Sequence, residues 1–504
     1  MIANKRYQVV RGARLLDGIS HDGAPGDLLI NGNKICEIGP PGMAAPSDSL
    51  VVDATDHLLI PGLVNAHTHG DVSLAKGLGD RLSLELLLNA SPLTSETFRL
   101  EDKYLAAKLA AAEMVLSGCT ACYDLFSEFP MPSAEGLAAV GQAYTDVGMR
   151  AVVAPLIADR NFWQAIPGLL EALPPKLCNE VGRSLSSPSD ATIAVCRQAL
   201  KDWKIDRNQV RLALGPTIPH HCEPSFLRAC RVLADDFGAP IHTHVAESKV
   251  QAIVGLEKFG KTLTAHLDEL GVIGPDFTAA HAVWVDNDDM QLLADRGASV
   301  AHNPTSNLRL GAGVAPVKAM LNAGLNVGVG TDASTCGDAL NMFEAQRLAN
   351  YLSRIHSPDP DTWLDAKTAL KLATAGSAQS LGFGNLIGQL TPGFRADIVF
   401  LDLKKIQYVP FNNAVRQLIY QESGTAVHHV MVDGAFVVQA GKLRAIDYSA
   451  LRADVARLND RVHDESQMAD ALVRQLEGVV GEFCGALAQK PYHVHRFVGI
   501  PGDS

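Results

Sequence analysis

Two histidines one residue apart, His67 and His69, close the apolar run GLVNAHTH. Side chains alternate along a β-strand, so residues i and i+2 share a face and both imidazoles can point the same way. Two rings alone cannot hold a metal ion. Further residues of the right type end other short apolar runs: His244 in APIHTHVAE with Glu247 three residues on, His281 in FTAAHAVWV, and Asp332 in LNVGVGTDA. Neutral imidazoles with one carboxylate are the donors expected for zinc or a similar divalent ion that keeps a position open for water. A lone His-x-His is a weak signal. Several run ends that each offer a suitable donor make a strong one.

These residues need a scaffold that brings distant run ends together. Eight short β-branched or aliphatic runs (GLVNAHTH, GCTACYDLF, MRAVVAPLI, VRLALGPTIP, APIHTHVAE, FTAAHAVWV, ASVAHNPTS and LNVGVGTDA) alternate with amphipathic stretches of helical spacing. That alternation predicts an α/β fold, a (β/α)8 TIM barrel over residues 61–384, with the candidate residues at the C-terminal strand ends where such barrels carry their sites. A doubly wound sheet is the structural alternative. Residues 1–60 and 385–445 read as short strands and turns, each set too small for its own core. Together they predict one composite β-sandwich. Residues 446–504 read as a helical C-terminal extension that ends in a looser tail.

Bulk properties narrow the function. The chain has 504 residues, 47% of them hydrophobic and 6% aromatic, with a formal charge of −12. The charge is spread rather than blocked, which argues against nucleic acid as a partner and gives no membrane affinity. No apolar run is long enough to span a bilayer, and the N-terminal residues carry no signal-peptide core. Nine cysteines in scattered positions suit a reducing cytoplasm better than a disulfide framework. The expected partner is a small-molecule substrate. Homo-oligomers are common for this architecture, and one is expected here. CTAC (Cys119 to Cys122) has Cys-x-x-Cys spacing but lies in a probable strand with no second pair, so core packing is its plainer reading.

The chain contains its own controls. YHVHR holds a second His-x-His, His493 and His495, in a tail with no nearby carboxylates and no strand-end setting, and reads as structural or exposed. His463 and Glu465 have the His-x-Glu spacing of another zinc deaminase fold, but the matching Pro-Cys-x-x-Cys is missing. His242 shares a strand face with His244 one layer deeper and reads as a buried, hydrogen-bonded histidine. His220 and His221 follow the fourth run and are within reach of a pocket. LRLGAGVAP is glycine-rich without the P-loop lysine–hydroxyl pattern and reads as a pocket-shaping loop.

The stretches PGLVNAHTHGDVSLAKGLGD, HTHVAES, AAHAVWV, VAHNPTSNLRLGAGVAPV and VGVGTDASTCGDALNMFEAQRLA together resemble the amidohydrolase superfamily. More narrowly they resemble its metal-dependent aminohydrolase and chlorohydrolase branch, whose members include cytosine, guanine, adenosylhomocysteine and triazine deaminase-like enzymes. The similarity spans about residues 8–445. It implies His67, His69, His244 and Asp332 as metal ligands, Glu247 as the proton-shuttling glutamate, and His281 as the histidine beside the attacking water and substrate. Superfamily members with two metals commonly bridge them with a modified lysine ending strand 4. LGPTIP supplies none, so one divalent metal is expected, zinc first, with iron or manganese also suited.

Departures from the pattern fall around the substrate. Thr217 follows Pro216 where many nucleoside-type members have histidine, Cys336 and Ala333 replace a common Ser and Gly, and LSLELLL lacks a common tryptophan. His302 and Asn303 are expected to line the substrate side. The implied reaction is hydrolytic deamination of an amino-substituted purine, pyrimidine, pterin or triazine. Asp332 would take a proton from an acidified water, Glu247 would protonate a ring nitrogen beside the attacked carbon, and His281 would hold the water or the developing oxyanion. The alternative enzyme reading is hydrolysis of an amide, a cyclic amide or a carbon–halogen bond at the same site. A non-enzymatic binding member ranks last, because such proteins usually lose metal ligands.

Overall fold

Short, fully buried strands carry the site. The computed structural model describes residues 7–95, 98–182, 188–337 and 339–497. Its central strands are β1 (Leu63–His69), β2 (Cys119–Phe126), β3 (Arg150–Ile157), β4 (Val210–Leu212), β5 (Ile241–Val245), β6 (Phe277–His281), β7 (Ser299–His302) and β8 (Asn326–Val329). Each lies within one of the eight apolar runs. Their residues are buried almost without interruption, the pattern of strands covered on both faces.

Neighbouring central strands are parallel and consecutive. β1, β2, β3 and β4 pair in turn, and so do β5, β6, β7 and β8. A bridge from Leu214 to Ile241 links the end of β4 to β5. Asp332–Ala333 continues the chain just past β8 and pairs with β1. This sequential order is TIM-barrel-like; a doubly wound sheet would reverse its strand order partway.

The returning helices carry ordinary start and stop signals. Ser133 caps Ala134–Val147 by accepting the Gly136 amide. Gly148 ends that helix at φ +82°, a left-handed conformation that a Cβ disfavours. Leu100–Leu116 buries Ala106, Ala107, Ala110 and Ala111, small residues that let the helix lie close to the strands.

The two chain ends meet in one nine-stranded sheet. Ile398–Asp402 pairs antiparallel with His57–Pro61, which joins strands from residues 7–61 to strands from residues 398–443. Hydrogen bonding makes this composite a single sheet; its pairing does not itself define the two layers of a sandwich. Arg150 of β3, fully buried, ties the central strands to it through Asp397 at 3.3 Å and Asp433 at 3.1 Å.

Beyond the sheet, Tyr448–Ala488 forms a helix of 41 residues capped by Asp447. Leu476, Val480, Cys484 and Leu487, spaced by four, four and three residues, make a stripe that packs on Phe162, Trp163 and Val254. The expected helical extension over 446–504 therefore stops at Ala488. Residues 489–497 turn back to the loop after β6, where Arg496 Nε donates to the Val283 carbonyl at 2.9 Å. Residues 498–504 lie outside the described residues. No helix among the described residues is long and apolar enough to cross a membrane.

Candidate metal centre

Side chains from the ends of β1, β5, β6 and the segment after β8 converge. His67 Nε2 and His69 Nε2 lie 3.5 and 3.4 Å from Asp332 Oδ1. His244 Nε2 lies 3.4 Å from His69 Nε2. His281 Nε2 stands 3.7 Å from Asp332 Oδ2 and 3.6 Å from Glu247 Oε2. Five of these six residues are buried, and His69 is the most open, its side chain 13% exposed.

The far nitrogen of each ring decides what the near one can do. His69 Nδ1–H donates to the Leu125 carbonyl at 2.7 Å, and His244 Nδ1–H to the Thr217 carbonyl at 2.6 Å. A carbonyl only accepts, so each neutral ring keeps its proton on Nδ1 and presents Nε2 as a bare lone pair. Two lone pairs then face each other across 3.4 Å with no proton between them. Two nitrogens sharing a tetrahedral zinc stand about 3.3 Å apart. His67 Nδ1 meets His242 Nε2 at 3.1 Å, and His67 Nε2 is buried with no hydrogen-bond partner. Burying an unsatisfied polar atom costs about 1–3 kcal/mol, and a bound cation removes that cost here. His67, His69 and His244, and likewise His67, His281 and Asp332, offer donor atoms within 4.8 Å of one another and could hold a divalent ion. The residues fit the metal.

Electrostatics suit the same reading. Burial drives the His67 imidazole down to about 4, and burial with neighbouring histidines holds His244 well below the ordinary range. Neutral rings are the form that binds metal. Burial opposes ionisation of Asp332, but the nearby His67 ring and the other surrounding histidines outweigh it, so its carboxyl sits well below the usual range. Glu247 goes the other way: burial first, then the charges of Asp332 and Glu85, push its carboxyl well above the usual range. Two carboxyls in one site are thus set apart, one ionised and one inclined to keep a proton.

The backbone beneath is strained where it turns the side chains inward. His281 has φ +67° and Asp332 φ +62°, with Ala246 and Ala282 also left-handed. Such residues cost about 1–3 kcal/mol each and cluster at functional sites. Gly330 lets the segment before Asp332 pass under β1; a Cβ there would stand 2.8 Å from the His67 backbone nitrogen and closer still to Asn303 Oδ1.

Residues outside the cluster divide clearly. Asn303 Nδ2 reaches both His281 ring nitrogens at 3.3 Å, while His302 is buried with neither ring nitrogen partnered. His242 is buried against His67. His220 and His221 are buried beside Phe162 and join none of the donor groups. His493 Nε2 meets Asp286 Oδ2 at 2.7 Å, so the second His-x-His does meet a carboxylate, contrary to expectation, in a partly exposed hydrogen bond. Glu465 pairs with Arg99 and Arg461 on the long helix. Cys119 and Cys122 are buried, and burial pushes the Cys119 thiol up to about 12.

Sequence reasoning missed several supports. Asn307 accepts from His281 Nδ1 at 2.9 Å. Asn65 and Thr331 tie β1 to the segment carrying Asp332 at 2.7 and 3.0 Å. Ser248 donates to Glu85 at 2.7 Å beside Glu247. Asn307 stood in the quoted VAHNPTSN motif, where its place four residues after Asn303 was the available signal. The carbonyls of Leu125 and Thr217 had none, because every residue type has one.

Comparison with known proteins agrees with this geometry. Residues 58–437 match the model of the amidohydrolase family. The 5-methylthioadenosine/S-adenosylhomocysteine deaminase of Syntrophobacter fumaroxidans is 32% identical over 83% of this chain and 89% of its own. The zinc-bound crystal structure of an adenosine deaminase from Xanthomonas campestris superposes with a TM-score of 0.79 at 27% identity, covering 91% of this chain and 98% of that one. Zinc-bound atrazine chlorohydrolase from Arthrobacter aurescens superposes with a TM-score of 0.79 at 26% identity, covering 90% and 99%. The chain belongs to the amidohydrolase family.

Proposed function

We propose that this chain is a metal-dependent hydrolase that deaminates an amino-substituted heterocycle, with an adenosine-type nucleoside as the favoured substrate. The observation that carries the reading is the pair of inward Nε2 lone pairs on His69 and His244, each fixed by a backbone carbonyl at Nδ1, beside His67 and the Asp332 carboxylate. His67, His69, His244 and Asp332 would hold one divalent ion, zinc in the first instance. Such an ion supplies an acidified water near neutral pH and a Lewis acid beside it.

The chain's own groups account for the rest. Asp332, held ionised, takes a proton from the attacking water at its free carboxylate oxygen. Glu247, its carboxyl held well above the usual range by burial, delivers a proton to the ring nitrogen beside the carbon under attack. His281, its Nδ1–H spent on Asn307, turns the Nε2 lone pair inward and accepts a hydrogen bond from that water. Asn303 steadies the His281 ring, and with His302 it lines the substrate side. Asp332 then passes its proton to the leaving amine and the adduct's hydroxyl proton returns to Glu247, so water and the C–NH2 group become C=O and ammonia with both carboxyls restored. The relative from Syntrophobacter fumaroxidans, a named adenosine-type deaminase of similar length, supports the nucleoside; the chlorohydrolase neighbour supports carbon–halogen hydrolysis as the second reading.

The same reading extends to the architecture. The strand order supports a closed (β/α)8 barrel over 61–384, and the shared core of Val10, Ile30, Leu59, Ile398 and Met431 supports a composite β-sandwich from 1–60 and 385–445. The helix Tyr448–Ala488 and residues 489–497 form a bracing extension. A homo-oligomer in a reducing cytoplasm completes the proposal; nine free cysteines, seven of them buried, are compatible with that compartment.

Ammonia and chloride release from zinc-loaded protein, across adenosine derivatives, pterins and triazines, tests the reading. Ammonia from an adenosine-type substrate, lost in Glu247→Gln, is expected. Chloride release alone would transfer the assignment to the second reading, and release of neither would refute both.

A further inference from the structure

A second group of histidines lies on the composite sheet, away from the central strands' ends. His57 sits on His57–Pro61, and His428 and His429 on Val427–Val432. Ile398–Asp402 runs between and pairs with both strands. Adjacent residues of a regular strand point to opposite faces, so His428 and His429 should diverge. They do not, because the register breaks there: Phe400 opposes His429 and Leu401 opposes Val427, leaving His428 as the extra residue of a β-bulge. Bulges of this kind re-aim a side chain. The His428 and His429 ring centroids come within 4.1 Å, and those of His57 and His428 within 5.1 Å.

His57 Nδ1–H donates to the Thr55 carbonyl at 2.8 Å, so its Nε2 is a lone pair, which meets His428 Nδ1 at hydrogen-bond distance, 2.8 Å. One nitrogen from each of the three rings falls within 4.8 Å of the other two. All three residues are half-buried, which leaves water room to complete a coordination shell. The Ala440 amide, which donates to His429 Nδ1 at 3.1 Å, is exposed and can exchange to water.

We propose that His57, His428 and His429 form a second, structural site for a divalent transition-metal ion, which clips the N-terminal half of the composite sheet to its C-terminal half. Imidazole donors select zinc, nickel or copper over magnesium and calcium. Ligands 371 residues apart in sequence close a long loop, and an ion bound only by the folded sheet raises its stability by mass action.

Zinc titrated calorimetrically into enzyme already loaded at the central site tests this. One further equivalent per chain is expected, with a rise in melting temperature that magnesium does not produce. His57→Ala and His428→Ala should each lose that equivalent and that rise while keeping ammonia release unchanged, which also reports that they fold. A wild-type protein that takes up no further zinc overturns the proposal without recourse to any variant. So does a variant that binds as many equivalents as the parent. The count differs between parent and variant whatever the enzyme's substrate proves to be, so this test stands apart from that of the deaminase reading.

Discussion

The chain carries the tripeptide pattern His-x-His at both His67–His69 and His493–His495, and the two have different fates. The first ends a buried parallel strand, where the pleat turns both rings to one side and the Leu125 carbonyl and His242 occupy their Nδ1 atoms. The second lies in the returning tail, where His493 pairs with Asp286 and is half exposed. Spacing is shared; the strand, the burial and the second bond on each ring are not. A metal site is therefore specified by what holds the far side of the imidazole as much as by the imidazole itself.

Breaking the comparison at its strongest point gives the largest effect. In the His428→Ala background, which keeps only the central site, His69→Ala should leave less than stoichiometric zinc by mass spectrometry and remove ammonia release. His495→Ala should change neither, and equal zinc loss in both would erase the distinction. Next, Glu247→Gln should keep its zinc and lower kcat by about 10²- to 10⁴-fold, the usual worth of a positioned acid–base group; a fall under tenfold would remove Glu247 from the proton path. His242→Ala leaves every proposed ligand in place but removes the group at His67 Nδ1. Its zinc affinity should drop about 10- to 100-fold in competition with a chelator, and unchanged affinity would show that the far-side bond is idle.

A smaller effect is visible in stability. With the metal stripped, the folded Glu247 carboxyl lies well above its unfolded value, so over that interval the folded state binds the extra proton. Its contribution is fully present below the ordinary carboxyl range and is lost as pH rises through the raised folded value. In urea melts of the stripped protein, the stability of wild type relative to Glu247→Gln should therefore fall as pH rises above about 4.3, the unfolded reference. Parallel profiles would contradict this. Smallest of all, His493→Ala should alter stability by no more than about 0.5 kcal/mol, as exposed substitutions do.

How much of this could be read from the chain depends on which atoms do the work. The runs ending in His69, His244, His281 and Asp332 were legible because strand periodicity and donor type coincide there. The Leu125 and Thr217 carbonyls were not, since a backbone carbonyl leaves no mark on residue identity. Thr217 shows this well: as a side chain it departs from the nucleoside-type pattern, yet its carbonyl holds His244. The His57, His428 and His429 group was hidden too, because a bulge at one position decides whether two adjacent rings meet or part. Likewise the tail's return depends on Arg496 meeting carbonyls of the loop after β6, a long-range contact with no local pattern. The composite sheet was foreseen from its texture, whereas its pairing through His57–Pro61 and Ile398–Asp402 required coordinates.

Zinc-edge X-ray absorption of the His428→Ala enzyme, which retains only the central site, tests the core of the account. Three imidazole nitrogens and one carboxylate oxygen at about 2.0–2.2 Å are predicted around a single zinc per chain. Sulfur in the first shell, fewer than three imidazoles, or zinc well below one equivalent would contradict it.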